Sequence, residues 1–147
     1  MSEDSGLVTS WPVAKDGESA MTSSAVRWCG TLNIPNVHLE SVARHDWCDL
    51  SRWDSVLAAL DKDKKVVIYL VAGKEFAPST GQPHYQFYMH LSVKKRGSQI
   101  RKAIVNAFGV GYSPFLAVCK GTPLQNYTYC RKGGDFYELG DWNAVPK

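Results

Sequence analysis

The sequence predicts an α+β fold in which helices flank one central antiparallel β-sheet of about five strands. Two observations support this prediction. Runs of β-branched and apolar residues alternate with segments whose apolar residues recur at helical spacing, in the order βαββαβαβ. The chain has 147 residues, of which 44% are hydrophobic, and this is the size and composition of one globular domain.

Ordered structure is predicted to begin near Arg27. Residues 1–25 are rich in serine, threonine, glycine and acidic side chains and have no sustained apolar period. They are therefore predicted to be a mobile, disordered tail before a domain at 26–147. The first strand is predicted over residues 28–34 and stops at Pro35, because proline cannot donate a hydrogen bond to a sheet.

A helix is predicted after Ser51, which forms a capping-box pattern with Asp54. Its apolar residues recur at helical spacing: Trp53, Val56, Leu57 and Leu60. Residues 66–72 are apolar and rich in β-branched side chains, which predicts a buried strand. Proline, serine, threonine and glycine at 78–81 then predict a loop over residues 76–83.

Residues 84–93 predict the next strand, whose two faces differ in chemistry because strand side chains alternate. The face expected to pack inward carries Tyr85, Phe87, Met89 and Leu91. The face expected to stay open for chemistry carries His84, Gln86, Tyr88 and His90. His90 lies about 20 Å along the strand from His84, at about 3.4 Å per residue, so it is expected to be a polar surface residue.

Four elements follow this strand, and the third of them, a helix, is described below with its candidate residues. Ser98 is expected to cap a helix that ends near Gly109. A fourth strand is predicted over residues 114–119. Residues 136–142 alternate weakly and predict a last strand.

Several functions are disfavoured. The longest apolar run, residues 66–72, is too short to cross a membrane. No basic-then-apolar leader opens the chain, so reduced, intracellular cysteines are expected. They are Cys29, Cys48, Cys119 and Cys130. His45 and Cys48 form half of a zinc pattern, but no matching pair follows. The chain has no Walker A loop, which argues against an ATPase site.

The net charge of +3 is distributed unevenly. Residues 94–134 contain eight basic residues and no acidic one: Lys94, Lys95, Arg96, Arg101, Lys102, Lys120, Arg131 and Lys132. A basic block in a near-neutral domain indicates a polyanionic partner, and the alternative is a solvated basic surface. Residues 94–96 are also compatible with a nuclear localisation signal.

Glu75, His84 and Gln86 are the candidate metal ligands. His84 and Gln86 share one strand face, and Glu75 is expected to reach them from the neighbouring strand. One nitrogen and two oxygen donors suit one Mn²⁺ or Mg²⁺ ion better than structural Zn²⁺. Such an ion stabilises charge during attack on a phosphodiester. The alternative is that these are ordinary polar residues of a half-exposed strand.

Tyr129 is the candidate nucleophile. It lies on a helix that Thr122 or Pro123 is predicted to open and the glycines at 133–134 to stop. Lys132, one turn further on, shares its face. A phenol has a pKa of about 10, so a nearby cation is expected to favour the phenolate, or else to hold the phosphate or a metal-bound water. The alternative is a structural tyrosine on an amphipathic helix.

Gln125 lies one turn before Tyr129 on the same helix. It is therefore expected to contact the DNA strand that Tyr129 would attack. Tyr127 is a rival nucleophile, but at 100° per residue it faces about 200° away from Tyr129.

Three short motifs, in this order, resemble those of the endonuclease domain of replication initiators (Rep) of circular single-stranded DNA viruses of the circovirus kind, within the HUH endonucleases. Residues 31–35 resemble the first motif, residues 84–86 the second in its form with glutamine for the second histidine, and residues 129–132 the third. Glu75 stands where the family keeps its acidic metal ligand. The resemblance covers residues 27–142 and departs from the family pattern at Gly30, Ile34 and Phe87.

The resemblance implies a sheet of the HUH, ferredoxin-like or RNA-recognition type. It also implies a metal-dependent, sequence-specific endonuclease and strand transferase that nicks single-stranded DNA at an origin stem-loop. Tyr129 would keep the 5′ end, the free 3′ hydroxyl would prime rolling-circle replication, and the ends could be rejoined without ATP. Residues assigned to DNA contact are Thr31, Asn33, Lys94, Lys95, Arg96, Arg101, Lys102, Gln125 and Arg131.

The resemblance further implies a host-nuclear protein, homo-oligomers of the full-length protein, and a helicase domain that usually follows but is absent here. Two alternatives stay open. One is a non-catalytic single-stranded nucleic-acid-binding module, whose binding would weaken with salt and ignore divalent ions. The other is a transposase or relaxase of the same superfamily.

Overall fold

The computed structural model describes residues 17–35, 52–61, 66–109 and 111–146. Its elements are α1 (Gly17–Thr22), β1 (Ser24–Asn33), α2 (Arg52–Asp61), β2 (Val67–Phe76), β3 (Pro83–Arg96), α3 (Gly97–Phe108), β4 (Phe115–Val118), α4 (Pro123–Arg131) and β5 (Phe136–Gly140), then a 3₁₀ turn (Trp142–Ala144). The predicted order βαββαβαβ is confirmed between β1 and β5.

The strands form one five-stranded antiparallel sheet in the order β4-β1-β3-β2-β5, which confirms the predicted fold class. β3 is the central strand and, at 14 residues, the longest. Because β3 is paired on both sides, each of its side chains near the site has a defined neighbour on β1 and on β2.

Helices α2 and α3 cover one face of the sheet and enclose the larger hydrophobic core. Trp53 of α2 is fully buried and contacts the rings of Tyr85, Phe87 and Phe108, with centroid distances of 5.2 to 5.6 Å. The inward packing predicted for the apolar face of β3 is therefore confirmed.

The other face of β3 was predicted to be open, and this is wrong for most of its length. A second buried cluster forms there beneath α4 and contains Cys29, Tyr69, Tyr88, Tyr129 and Cys130. His90, expected at the surface, is only 6% exposed, and its Nδ1 lies 2.9 Å from the hydroxyl of Tyr88. The covering arises from α4 folding back over the sheet, which strand alternation cannot reveal.

Two predicted boundaries are also corrected. Residues 17–25, assigned to the disordered tail, form α1 and the start of β1, and Ala20 is buried in the core. Ser98 does not cap α3; the helix begins at Gly97 after Arg96, whose backbone N–H donates to Gln99 Oε1. A Cβ at Gly97 would lie 2.1 Å from the carbonyl oxygen of Ala20, so glycine permits α1 to pack there.

Residues 1–16 lie outside the described residues, as do the predicted cap Ser51 and the half-zinc pattern of His45 and Cys48.

Within the described ranges, no helix is both long and apolar enough to span a membrane.

α4 begins as predicted, with Thr122 as its cap and Pro123 in its first turn. The helix then approaches β2 so closely at Gly73 that a Cβ there would lie 2.0 Å from the carbonyl oxygen of Cys130. Gly73 therefore fixes the height of Tyr129 and Lys132 above the sheet.

Replacing Gly73 by alanine is expected to lower the free energy of unfolding by about 2–3 kcal/mol, because the added methyl group meets backbone that cannot move without lifting α4. The urea midpoint measures this loss. Gly81→Ala is the control: its φ is +73° and no atom would lie within 4 Å of its Cβ, so only backbone strain of about 1 kcal/mol is expected. Equal losses in the two variants would contradict close packing at Gly73.

Candidate active site

The register of β2 against β3 places Glu75 directly opposite His84. Glu75 Oε1 lies 3.9 Å from His84 Nε2. The side chains are 14% and 9% exposed, so the pair lies just below the surface. The expectation that Glu75 reaches His84 from the neighbouring strand agrees with this geometry.

Gln86 joins the pair from two positions along β3, with its Nε2 3.3 Å from His84 Nε2. Its Oε1 accepts a hydrogen bond of 3.1 Å from Thr31 Oγ1, because Thr31 is the partner of Gln86 in the β1–β3 register. Rotating the amide by 180° would present Oε1 to His84 and let Nε2 donate to the same hydroxyl. The hydroxyl of Thr31 therefore bonds the Gln86 amide in either orientation and holds it beside His84. No local sequence pattern indicates this role.

The imidazole of His84 is arranged as a neutral group with one ring nitrogen able to bind a metal ion. Its residue is 7% exposed, and burial lowers the pKa of His84 below the ordinary histidine value. Nδ1 lies 3.2 Å from the carbonyl oxygen of Gln82, so a proton on Nδ1 donates to that oxygen. Nε2 then keeps its lone pair, accepts from Gln86 Nε2 and faces Glu75 Oε1 with no proton between them, the arrangement of a ligating histidine.

The ammonium group of Lys132 forms an ion pair with the carboxylate of Glu75. Its Nζ lies 2.6 Å from both carboxylate oxygens and 3.8 Å from the ring centroid of Tyr129. The lysine side chain is 35% exposed. One ammonium group thus connects the carboxylate from β2 to the tyrosine from α4.

Tyr129 is brought to this cluster, but it is only 6% exposed. Burial, with smaller effects from Glu75 and Cys130, raises the pKa of the Tyr129 phenol above its ordinary value. The expectation that Lys132 favours the phenolate is wrong for this arrangement, because its ammonium lies over the ring face and is paired with Glu75.

The donor set decides which metal could fit. Within the described residues, no group of three histidine, cysteine, aspartate or glutamate side chains could hold a metal ion. Glu75 and His84 are two such side chains, and the amide of Gln86 would be the third donor. This oxygen-rich set fits Mg²⁺ or Mn²⁺, which keep several water ligands, and does not fit structural Zn²⁺.

The residues assigned to DNA contact are not all near this cluster. Asn33 is exposed and is the partner of His84 in the β1–β3 register. A groove next to it is lined by Asn33, Ile34, Pro35, Gln82, Gly111 and Ser113. In contrast, residues 94–96 lie at the opposite end of β3, and Lys102 is exposed on α3.

Besides Thr31, three of these residues have side-chain contacts within the fold. Arg101 donates to the carbonyl of Pro114 and the hydroxyl of Ser113. Gln125 completes the capping box of α4. The guanidinium of Arg131 lies over the rings of Tyr127 and Phe136, at 4.4 and 4.6 Å from their centroids.

The rival nucleophile Tyr127 packs on the aromatic rings of Tyr69 and Trp142. Its ring stacks on Trp142 at a centroid distance of 4.0 Å and an interplanar angle of 18°. This packing agrees with the predicted difference in direction between Tyr127 and Tyr129.

No protein-family model matches the chain. Among curated proteins, it is 40% identical over 78 residues to the replication-associated protein of human associated cyclovirus 1. It is 31% identical over 114 residues to para-Rep C1 of Faba bean necrotic yellows C11 alphasatellite, and 29% identical over 114 residues to para-Rep C2 of Milk vetch dwarf C2 alphasatellite.

These alignments cover 53% of this chain for the cyclovirus protein and 78% for each para-Rep. They span only 26% of the cyclovirus protein and 33% of each para-Rep. The chain is thus similar to part of these viral replication proteins, which agrees at that level with the three sequence motifs. The HUH chemistry stays a prediction.

The ion pair between Glu75 and Lys132 is expected to stabilise the fold. A double-mutant cycle with Glu75→Gln and Lys132→Met should give a coupling energy of about 1 kcal/mol in urea unfolding, because Glu75 is mostly shielded from water. The matched control is Lys74 with Asp135, also 2.6 Å apart, where the aspartate side chain is 59% exposed. Its coupling should be less than about 0.5 kcal/mol, and a larger coupling there would contradict the role of shielding.

Proposed function

We propose that this chain is the nicking domain of a viral replication initiator. It acts as a divalent-metal-dependent, sequence-specific endonuclease and strand transferase on single-stranded DNA at an origin stem-loop in the host nucleus. The supporting observation is a continuous series of side-chain contacts that joins all three motifs and the acidic residue. Its members are Thr31, Gln86, His84, Glu75, Lys132 and Tyr129.

The chemistry is an attack by Tyr129 Oη on the scissile phosphorus. A bond forms between that oxygen and phosphorus, while the bond from phosphorus to the 3′ oxygen breaks. The phenol loses one proton and the departing 3′ oxygen gains one, so the step is balanced. The 5′ phosphate stays on the protein as a tyrosine ester, and attack by a 3′ hydroxyl rejoins the strand in the reverse direction.

Glu75, His84 and Gln86 would hold one Mn²⁺ or Mg²⁺ ion. When bound, such an ion polarises a non-bridging phosphate oxygen and stabilises the negative charge that develops there. Thr31 serves this set by holding the amide of Gln86 in place.

Lys132 has a separate task. While it is paired with Glu75, it neutralises a carboxylate that would otherwise repel the phosphate. Once released from Glu75, its ammonium can approach either the phosphate or the phenol, and a cation there lowers the pKa of a phenol. Because burial raises the pKa of the Tyr129 phenol, this release would favour attack.

A non-catalytic binding module is the second candidate, because Tyr129 is buried and its phenol is hard to ionise. This candidate predicts DNA binding without covalent capture. A transposase or relaxase would also form the tyrosine ester, and mapping the cut sequence separates it from an origin nickase.

Tyr129→Phe is expected to abolish covalent capture of an oligonucleotide labelled at its 3′ end, because the nucleophilic oxygen is removed. The measurement is a denaturing gel of the protein–DNA adduct with Mn²⁺ and with chelator, beside a thermal melt that checks folding. Tyr127→Phe is the matched control and should retain the adduct, since Tyr127 is packed on Trp142. An adduct in the Tyr129 variant would remove Tyr129 as the nucleophile.

Lys132→Met is expected to tighten Mn²⁺ binding in the absence of DNA by about tenfold, which corresponds to about 1.4 kcal/mol. The reason is that lysine and metal compete for the carboxylate of Glu75. Calorimetric titration measures the affinity, and Lys74→Met, which removes a lysine paired with Asp135 instead, should change it by less than about threefold. Unchanged or weaker Mn²⁺ binding in the Lys132 variant would contradict this competition.

A further inference from the structure

The basic residues of the chain include a group that lies far from the candidate active site. Lys94, Lys95 and Arg96 end β3, and His84 is near its start. β3 bulges against β1 between His90 and Lys95, so the distance is taken along β1, whose Asn33 and Ala25 lie opposite His84 and Lys95. Eight residues of β1 correspond to roughly 25 Å at about 3.3 Å per residue. A single phosphate cannot touch both places, so this group needs its own explanation.

The backbone around this group is a two-stranded ribbon. The pairing of β3 with β2 runs only to Leu91, with one more bond from Ser92 N–H to the Val66 carbonyl. Beyond that point, among the described residues, β3 bulges away from the β1 register after His90 and pairs with β1 again at its end, Lys95 with Ala25 and Arg96 with Ser24. We call residues 24–25 and 93–96 the basic ribbon.

The ribbon is accessible and chemically uniform. Lys94 and Arg96 are exposed, and Val93 is 49% exposed. Residues 92–102 contain five basic side chains, no acidic side chain and no aromatic ring. The missing aromatic ring distinguishes this surface from a single-strand platform, because single strands are held largely by stacking of bases on aromatic side chains.

Duplex DNA fits these features better. Its affinity for proteins comes mainly from phosphate contacts by lysine and arginine, and its major groove is wide enough for a two-stranded β-ribbon. A protein that cuts a single-stranded loop at one end of its sheet can therefore hold the adjoining stem at the other end.

We infer that the basic ribbon binds the phosphate backbone of duplex DNA that adjoins the cleaved single strand. This inference rests on the proposed function, and it assigns the two structural forms of the DNA to opposite ends of β3. The ribbon contributes affinity and positioning, while the active site alone contacts the scissile phosphate.

The test compares two DNA substrates in the full chain. One is a hairpin with a duplex stem, and the other is the same loop sequence without a stem. The variant carries Lys94→Gln, Lys95→Gln and Arg96→Gln. A second variant keeps the charge at the same positions, with Lys94→Arg, Lys95→Arg and Arg96→Lys, and thermal melts check that both fold.

Binding is measured in a Tyr129→Phe background over a range of salt concentrations. The neutralised variant should bind the hairpin at least tenfold more weakly at low salt. Its salt slope should fall by about two to three, because each phosphate that a protein neutralises contributes about 0.9 to the slope. Its affinity for the stemless strand should change by less than about twofold. The charge-keeping variant should behave like the unmodified protein on both substrates.

Covalent capture of the stemless strand, measured with Tyr129 present, should be the same with and without the ribbon charges. Equal losses on both substrates, an unchanged salt slope, or a preference for an RNA hairpin would overturn the inference. If the unmodified protein captures neither substrate, the proposed function fails, while the binding comparison still tests the ribbon.

Discussion

The antiparallel register of β3 against both neighbours is the constraint on which the rest of the molecule depends. It places Gln86 between Thr31 on β1 and Gly73 on β2, and it places His84 opposite Glu75. A shift of one residue would turn His84 and Gln86 towards α2 and α3 and turn the apolar face towards α4 instead. The buried rings of the larger core fix the register, so the stability of that core and the geometry of the candidate site have the same origin.

The second constraint on the candidate site is the close packing of α4 on the sheet. Gly73 lets the helix backbone approach, and the pair of Lys132 with Glu75 ties the helix end to β2. The same approach buries Tyr129 and raises the pKa of its phenol. The close packing of α4 therefore makes the Tyr129 phenol harder to ionise. The proposed release of Lys132 from Glu75 would offset this effect, since it frees a cation beside the tyrosine without moving the helix.

The two ends of β3 divide the surface by chemistry. One end combines His84, Glu75 and exposed Asn33 around a polar cluster. The other end has positive charge without rings or acids near it in sequence. The chain therefore separates the place where a bond could be broken from the place where a polyanion could be held, and the central strand β3 connects the two.

The order of helices and strands followed from sequence alone, because apolar periodicity, the cap at Thr122 and the glycines after α4 are local signals. Side-chain alternation also placed His84 and Gln86 together, and the motif resemblance indicated Glu75. Sequence could not show that α4 covers Tyr88 and His90, that α1 packs on Gly97, or that Lys132 binds Glu75 and leaves Tyr129 hard to ionise. These features depend on contacts between residues distant in the chain, and burial and pairing of charges are properties of the folded structure that no local pattern encodes.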